Sequence, residues 1–326
     1  MYIEDGNFSL WCDFIERDFL DKGLKELIEK KIVNGATSNP SIFKNAFLNS
    51  PAYKNDIQSL SDKKPKEIYE ALAIKDIQKS ADLLLDLYKK GDDGFISIEV
   101  DPSLCDDSEA TVKEGKRLFN TIDRPNVMIK VPATDAGYRA MKELMSEGIN
   151  VNATLVFSPY QAKKCLDAFE EAGNDDTYGV ISIFVSRFDR KTDALFEEKG
   201  IEKAKLGIYN ATKIYYDIRK RDLKNIKALF ASTGVKGDDL PKAYYITQLL
   251  YEASVNTAPL DTIDAFIKTG VKELKKPIDK RVIEKFFDDL GKNDIDINQI
   301  YDTLLDEGLE AFKIAFREIL KELEKG

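Results

Sequence analysis

Histidine is absent from all 326 residues of the chain. That absence excludes a His-dependent catalytic triad and a His-ligated zinc site. It leaves general acid–base work to Asp, Glu, Lys, Tyr or water. Cysteine is scarce: Cys12, Cys105 and Cys165 lie far apart, without the paired spacing of a zinc site or a redox dithiol. No apolar run approaches the roughly 20 residues that span a bilayer. Met1-Tyr2-Ile3-Glu4-Asp5 lacks the basic segment and apolar core of a signal peptide. Positive charge is not in excess either: 49 Lys and Arg stand against 58 Asp and Glu, with no basic face or tail. A nucleic-acid partner needs such a footprint to displace counterions. A carboxylate-held Mg²⁺ stays open but has no motif in its favour; the expectation is a cytoplasmic protein with no nucleic acid and no membrane partner.

Six short segments are rich in β-branched residues and end in polar clusters: Ile32–Thr37, Phe95–Val100, Val127–Val131, Asn150–Val156, Val180–Val185 and Ile226–Ser232. They read as strands, with weaker candidates at Leu10–Asp13 and Glu252–Thr257. Helical spacing fills the gaps at Ile68–Tyr88, Ser108–Phe119, Ala136–Met145 and Pro159–Glu171, the last opened by a proline in its first turn. Eight strands alternating with helices imply parallel pairing and an α/β fold, a closed (β/α)8 barrel. Only helices follow the last strand, at about 260–270, 281–291 and 297–324. No repeat, low-complexity stretch or linker divides the chain, so one domain over 1–326 is expected, with the helices of 260–326 packed around the barrel.

A strand inside such a barrel should be an apolar run. Five of these carry a polar residue near the C-terminal end: Asn39 just beyond its strand, Glu99, Lys130, Asn152 with Thr154, and Ser182. The C-terminal strand ends of barrels hold active sites. A single such residue reads equally well as a satisfied polar group at the rim. Five on successive strands, with a lysine and a glutamate flanked by aliphatics, point to a site. Burial disfavours a charged amine, and a lowered pKa is what a nucleophilic amine needs.

With these residues in place, the sequence resembles the transaldolase family, in the branch with Trp-x-Asp near the N-terminus. The resemblance covers nearly the whole chain. It rests on Thr37-Ser38-Asn39-Pro40-Ser41-Ile42-Phe43, Ser97-Ile98-Glu99-Val100-Asp101-Pro102, Ile129-Lys130-Val131-Pro132-Ala133-Thr134, Asn152-Ala153-Thr154-Leu155-Val156-Phe157-Ser158 and Ile181-Ser182-Ile183-Phe184-Val185-Ser186-Arg187, in that order. It implies a metal-free Schiff-base transfer of a dihydroxyacetone unit from a ketose phosphate to an aldose phosphate, in the non-oxidative pentose phosphate pathway. Lys130 matches the family's nucleophile. Asp13, in Trp11-Cys12-Asp13, matches the carboxylate that exchanges a proton with the donor's hydroxyl; it could also open a helix. Glu99 matches the acid–base partner that acts through a water, and Thr154 would position that water. Asn39 and Asn152 would hydrogen-bond substrate hydroxyls. Ser182 and Arg187 match phosphate ligands on the loop after the sixth strand, although Arg187 also fits a surface helix.

One departure concerns the phosphate. Where the better-known branch has an arginine after the seventh strand, this chain reads Ala231-Ser232-Thr233-Gly234-Val235-Lys236. Ser232 and Lys236 are the candidates for that contact, Lys offering a point charge where Arg offers a fork. Tyr215-Tyr216 and Tyr244-Tyr245 read as packing, and Trp11 as a core or rim aromatic. A rival within the fold is a fructose-6-phosphate aldolase, which releases free dihydroxyacetone; those smaller relatives use a tyrosine as the acid. A rival outside catalysis is a sugar-phosphate-binding barrel, which would have lost Lys130, Glu99 or Asp13. The sequence leaves a monomer and a homodimer equally open.

Overall fold

The aliphatic segments become strands because nearly all of their side chains are buried, on both faces. A computed structural model describes residues 2–325. Eight parallel strands close in chain order: β1 (Ser9–Cys12), β2 (Gly35–Thr37), β3 (Ile96–Glu99), β4 (Val127–Pro132), β5 (Asn150–Val156), β6 (Gly179–Phe184), β7 (Ile226–Ala231) and β8 (Ser254–Ala258). The expected (β/α)8 barrel is what forms, including both weaker strands. The second strand is shorter than expected. Ile32 N–H and Val33 N–H both return to Leu27 C=O, closing the preceding helix, so pairing starts at Gly35. Only glycine fits there: a Cβ at 35 would lie 2.5 Å from the Trp11 indole nitrogen.

Helices at Pro65–Lys89, Ser108–Ile122, Asp135–Ser146 and Pro159–Ala172 match the sequence reading, within a turn at their ends. Two more, Pro40–Asn49 and Ser186–Glu198, occupy βα positions that the periodicity leaves blank, and Leu206–Arg221 contains the helical pattern at Tyr215-Tyr216. The helix starts are chemically marked. Asn39, Thr134 and Ser158 each accept a backbone N–H of the first turn, and Ser158 and Gln161 form a reciprocal capping box. No helix among the described residues is long and apolar enough to cross a membrane.

Alternation along the strands divides the barrel interior into two levels. Near the N-terminal strand ends lie Trp11, Phe95, Met128, Val180, Leu229 and Val255, all buried in one apolar cluster. Below them, Trp11 donates to Asp93 (3.0 Å), which Lys227 neutralises (2.7 Å). Polar residues take over nearer the C-terminal ends. Lys280–Lys292 and Ile297–Leu323 follow the last strand and its Leu260–Thr269 helix. At 1.5 Å per residue, the 27-residue helix Ile297–Leu323 is roughly 40 Å long. It reaches from Tyr301, whose hydroxyl donates to Asn210 (2.8 Å), to Phe316, edge-on to Tyr69 (5.0 Å). It therefore crosses the C-terminal end of the barrel.

Asp189 ties three helices of one flank together. Its buried carboxylate accepts Gly207 N–H (2.9 Å) and Tyr245 O–H (2.8 Å). Burial pushes its pKa up to about 7, against the pull of those two hydrogen bonds. A carboxyl group raised in the folded state contributes stability that is complete below its unfolded pKa. That contribution is lost as pH rises through the folded value. Stability should therefore fall between about pH 4 and pH 7. Asp189→Asn, which cannot ionise, is expected to remove about 2–4 kcal/mol of that fall. Urea unfolding at pH 4.5 and 7.5 measures it; an equal fall in both proteins contradicts the assignment.

Candidate active site

The register places the expected residues side by side. Glu99 pairs across β3–β4 with Lys130, and Lys130 across β4–β5 with Asn152. All three are buried, at 6%, 6% and 0% exposure, and all face the barrel interior. Lys130 Nζ donates to the Ser38 carbonyl (3.0 Å) and lies 3.8 Å from Glu99 Oε2. The amine is thus aimed by backbone as well as by charge. Neither Glu99 oxygen accepts a hydrogen bond among the described residues, and Thr154 Oγ1 is likewise buried without a partner. Burial pushes Glu99 up to about 7; the Lys130 ammonium pulls it down, and the Asp13 charge adds to the rise. Such a carboxyl group can both give and take a proton near neutral pH.

Asp13 lies just past β1. It does not open the following helix, because Glu16 is the cap, its carboxylate accepting Phe19 N–H (2.9 Å). Asp13 is left facing the site, where Thr37 O–H donates to its Oδ1 (2.7 Å). Thr37 Oγ1 is in turn 2.7 Å from Thr257 Oγ1. Burial raises the Asp13 pKa, while Lys130 and Thr37 hold it back.

Two amides are already committed in part. Asn39 uses its oxygen to cap the helix Pro40–Asn49, accepting Ile42 N–H (3.0 Å), so its amide N–H2 faces other partners. Asn152 accepts Ser182 O–H (2.7 Å) and donates to Ser97 (3.0 Å). Ser182 thereby corrects an expectation. It stands within the strand, where the reading of Val180–Val185 had it, and not on the loop its phosphate match implied, 2% exposed, with its hydroxyl spent on Asn152. An inward strand position puts it beside Asn152, the cross-strand neighbour of Lys130, rather than at the rim.

Arg187 opens the helix Ser186–Glu198, half-buried, with its guanidinium over the Phe184 ring at 5.0 Å. It makes no hydrogen bond or ion pair among the described residues. Burial lowers its pKa, nearby Arg190 lowers it further and Glu307 opposes both. A desolvated guanidinium without a carboxylate, beside a second arginine, suits an anion. Ser232 stands close by, its hydroxyl 3.1 Å from that of Ser186, in the left-handed region at φ +55°. Lys236 is different: exposed, without a hydrogen-bond or ion-pair partner among the described residues, in a depression shared with Arg190, Asp193 and Asp239.

Sequence reasoning overlooked the residues that aim others. Thr37 was legible, since period-two counting places it on the same face as Asn39. The Ser38 carbonyl and Thr257 carry no local signal of their role.

Comparison with known proteins follows the same lines. The profile described as Transaldolase/Fructose-6-phosphate aldolase matches residues 10–323. Transaldolase of Campylobacter jejuni (strain RM1221) is 50% identical over 333 aligned positions, spanning 97% of this chain and 99% of the relative. Transaldolase of Helicobacter pylori (strain Shi470) is 47% identical over 314, spanning 96% and 98%.

Proposed function

The chain belongs to the transaldolase/fructose-6-phosphate aldolase family, and from that premise we propose that Lys130 is the Schiff-base nucleophile of its dihydroxyacetone transfer. It is a transferase, a transaldolase by its resemblance to those relatives. The unit passes from sedoheptulose 7-phosphate to glyceraldehyde 3-phosphate, giving erythrose 4-phosphate and fructose 6-phosphate. The observation that carries it is the buried Glu99–Lys130–Asn152 row, with the amine 3.8 Å from a carboxyl group poised near neutrality.

The Lys130 amine adds to the ketose carbonyl, and Glu99, acting through a water steadied by Thr154, protonates the departing hydroxyl. Water leaves and an iminium remains. Asp13 takes the proton of the hydroxyl on the next carbon but one. The bond from that carbon to the one next to the iminium breaks, its electron pair forms the double bond of a neutral enamine, and the first aldose phosphate leaves. The enamine then attacks the acceptor aldehyde, Asp13 returns its proton, and water releases the new ketose. Asn39, Asn152 and Ser182 hold hydroxyls, while Arg187 and Ser232 hold the phosphate. Lys236 is the outermost member of that end. The whole is one domain over 1–326, acting in the cytoplasm on small sugar phosphates, as a monomer or homodimer.

The test is covalent. Borohydride added during incubation with fructose 6-phosphate should leave a dihydroxyacetone-sized addition on the peptide bearing Lys130. An intact protein with no addition there sinks the mechanism. Glu99 adds a pH signature. The limb of the kcat profile near pH 7 should flatten in Glu99→Gln, with kcat about 10²-fold lower at pH 7. A parent profile without that limb contradicts the role.

A further inference from the structure

The helix Ile297–Leu323 touches both cations of the site from one face. Phe312, 5% exposed, has its ring 6.0 Å from Lys130 Nζ. One turn earlier, Gly308 lies against Arg187: a Cβ there would be 3.2 Å from Arg187 Nη1 and 3.0 Å from Leu155 Cδ2. Positions four apart share a helix face, so one surface meets the amine end and the phosphate end of the site together. The approach is built on both sides. Leu155 adopts a left-handed φ of +57° where the β5–β6 register slips, a costly choice for a branched residue. Tyr301 and Phe316 fix the helix at either side of the mouth.

We propose that Phe312 is a positioning residue that keeps water from protonating the enamine carbon of the Lys130 adduct and so makes the outcome transfer rather than release. This rests on the Schiff-base reading above. Release would need the enamine carbon to take a proton, giving the iminium. A water oxygen would then bond to the iminium carbon and pass its proton to nitrogen. Breaking the C–N bond would return the amine and free dihydroxyacetone. Iminium hydrolysis is shared with transfer, so the outcome is decided at the first step, where a water would have to bring a proton past the Phe312 ring beside Lys130. An aromatic face also stabilises the iminium charge without supplying a nucleophile or a proton.

The experiment uses the full chain and the graded series Phe312→Leu, Phe312→Val and Phe312→Ala. With fructose 6-phosphate alone, free dihydroxyacetone is measured per borohydride-trapped Lys130 adduct. Glyceraldehyde 3-phosphate is then added to measure transfer. The ratio of release to transfer should rise through the series, slightly in Leu and about tenfold in Ala, while the adduct still forms. An unchanged ratio, or release and transfer falling together, overturns the proposal. If the alanine variant loses the parent's circular dichroism, the leucine and valine variants decide by the same ratio. Absence of a Lys130 adduct in the parent would instead overturn the Schiff-base reading itself.

Discussion

Lys130→Met is expected to lower kcat by about 10⁴-fold or more and to abolish the trapped adduct. Methionine has nearly the length of lysine and no charge, so it fills the same buried space on β4. What goes is the one nitrogen that lies both beside Glu99 and against the Ser38 carbonyl. The fold should persist, because burial already raises the Glu99 pKa and loss of the nearby cation raises it further, leaving a neutral acid. A melting temperature no lower than the parent's would separate lost chemistry from lost structure. Turnover above about one per cent of the parent, or an adduct that survives, would remove Lys130 from its role.

Asp13→Asn tests the second half of the chemistry. Asparagine can still accept the Thr37 hydroxyl through its oxygen, so the geometry at 2.7 Å is retained while the base is lost. The expected fall in kcat is about 10³-fold. Lys130 and Glu99 remain, so the Schiff base should still form and then stall before cleavage. The decisive readout is mass. Borohydride should capture the whole six-carbon sugar phosphate on Lys130, where the parent also carries the three-carbon fragment. A three-carbon adduct formed at the parent's rate would mean that another group takes the proton.

What the sequence made legible follows from periodicity. Glu99, Lys130 and Asn152 interrupt aliphatic strands at positions whose neighbours define the register, so their misfit and their mutual placement both show. Thr154 follows from the same count. The helix Leu206–Arg221 showed only around Tyr215-Tyr216, without its bounds: it is buried over most of its circumference and carries aromatic and β-branched residues. Its apolar stripe is too broad for helical spacing to stand out. Asp13 looked like a helix cap because the cap lies only three residues on, at Glu16. Ser182 was placed at a rim because its motif names a residue and not the side chain that engages it. Phe312 was invisible, since its contact with Lys130 is made across most of the chain and nothing in its own helix marks it apart from core aromatics.

The apolar lower level of the barrel has a kinetic consequence. Trp11, Phe95, Met128, Val180, Leu229 and Val255 plug the N-terminal end, with Asp93 and Lys227 locked beneath. Lys130 therefore sits in a vessel with one door. On the proposed mechanism, the aldose that leaves after cleavage and the aldose that enters as acceptor use the same passage, and the fragment on the lysine stays behind it. Alternation of the two half-reactions is imposed by traffic before it is imposed by affinity.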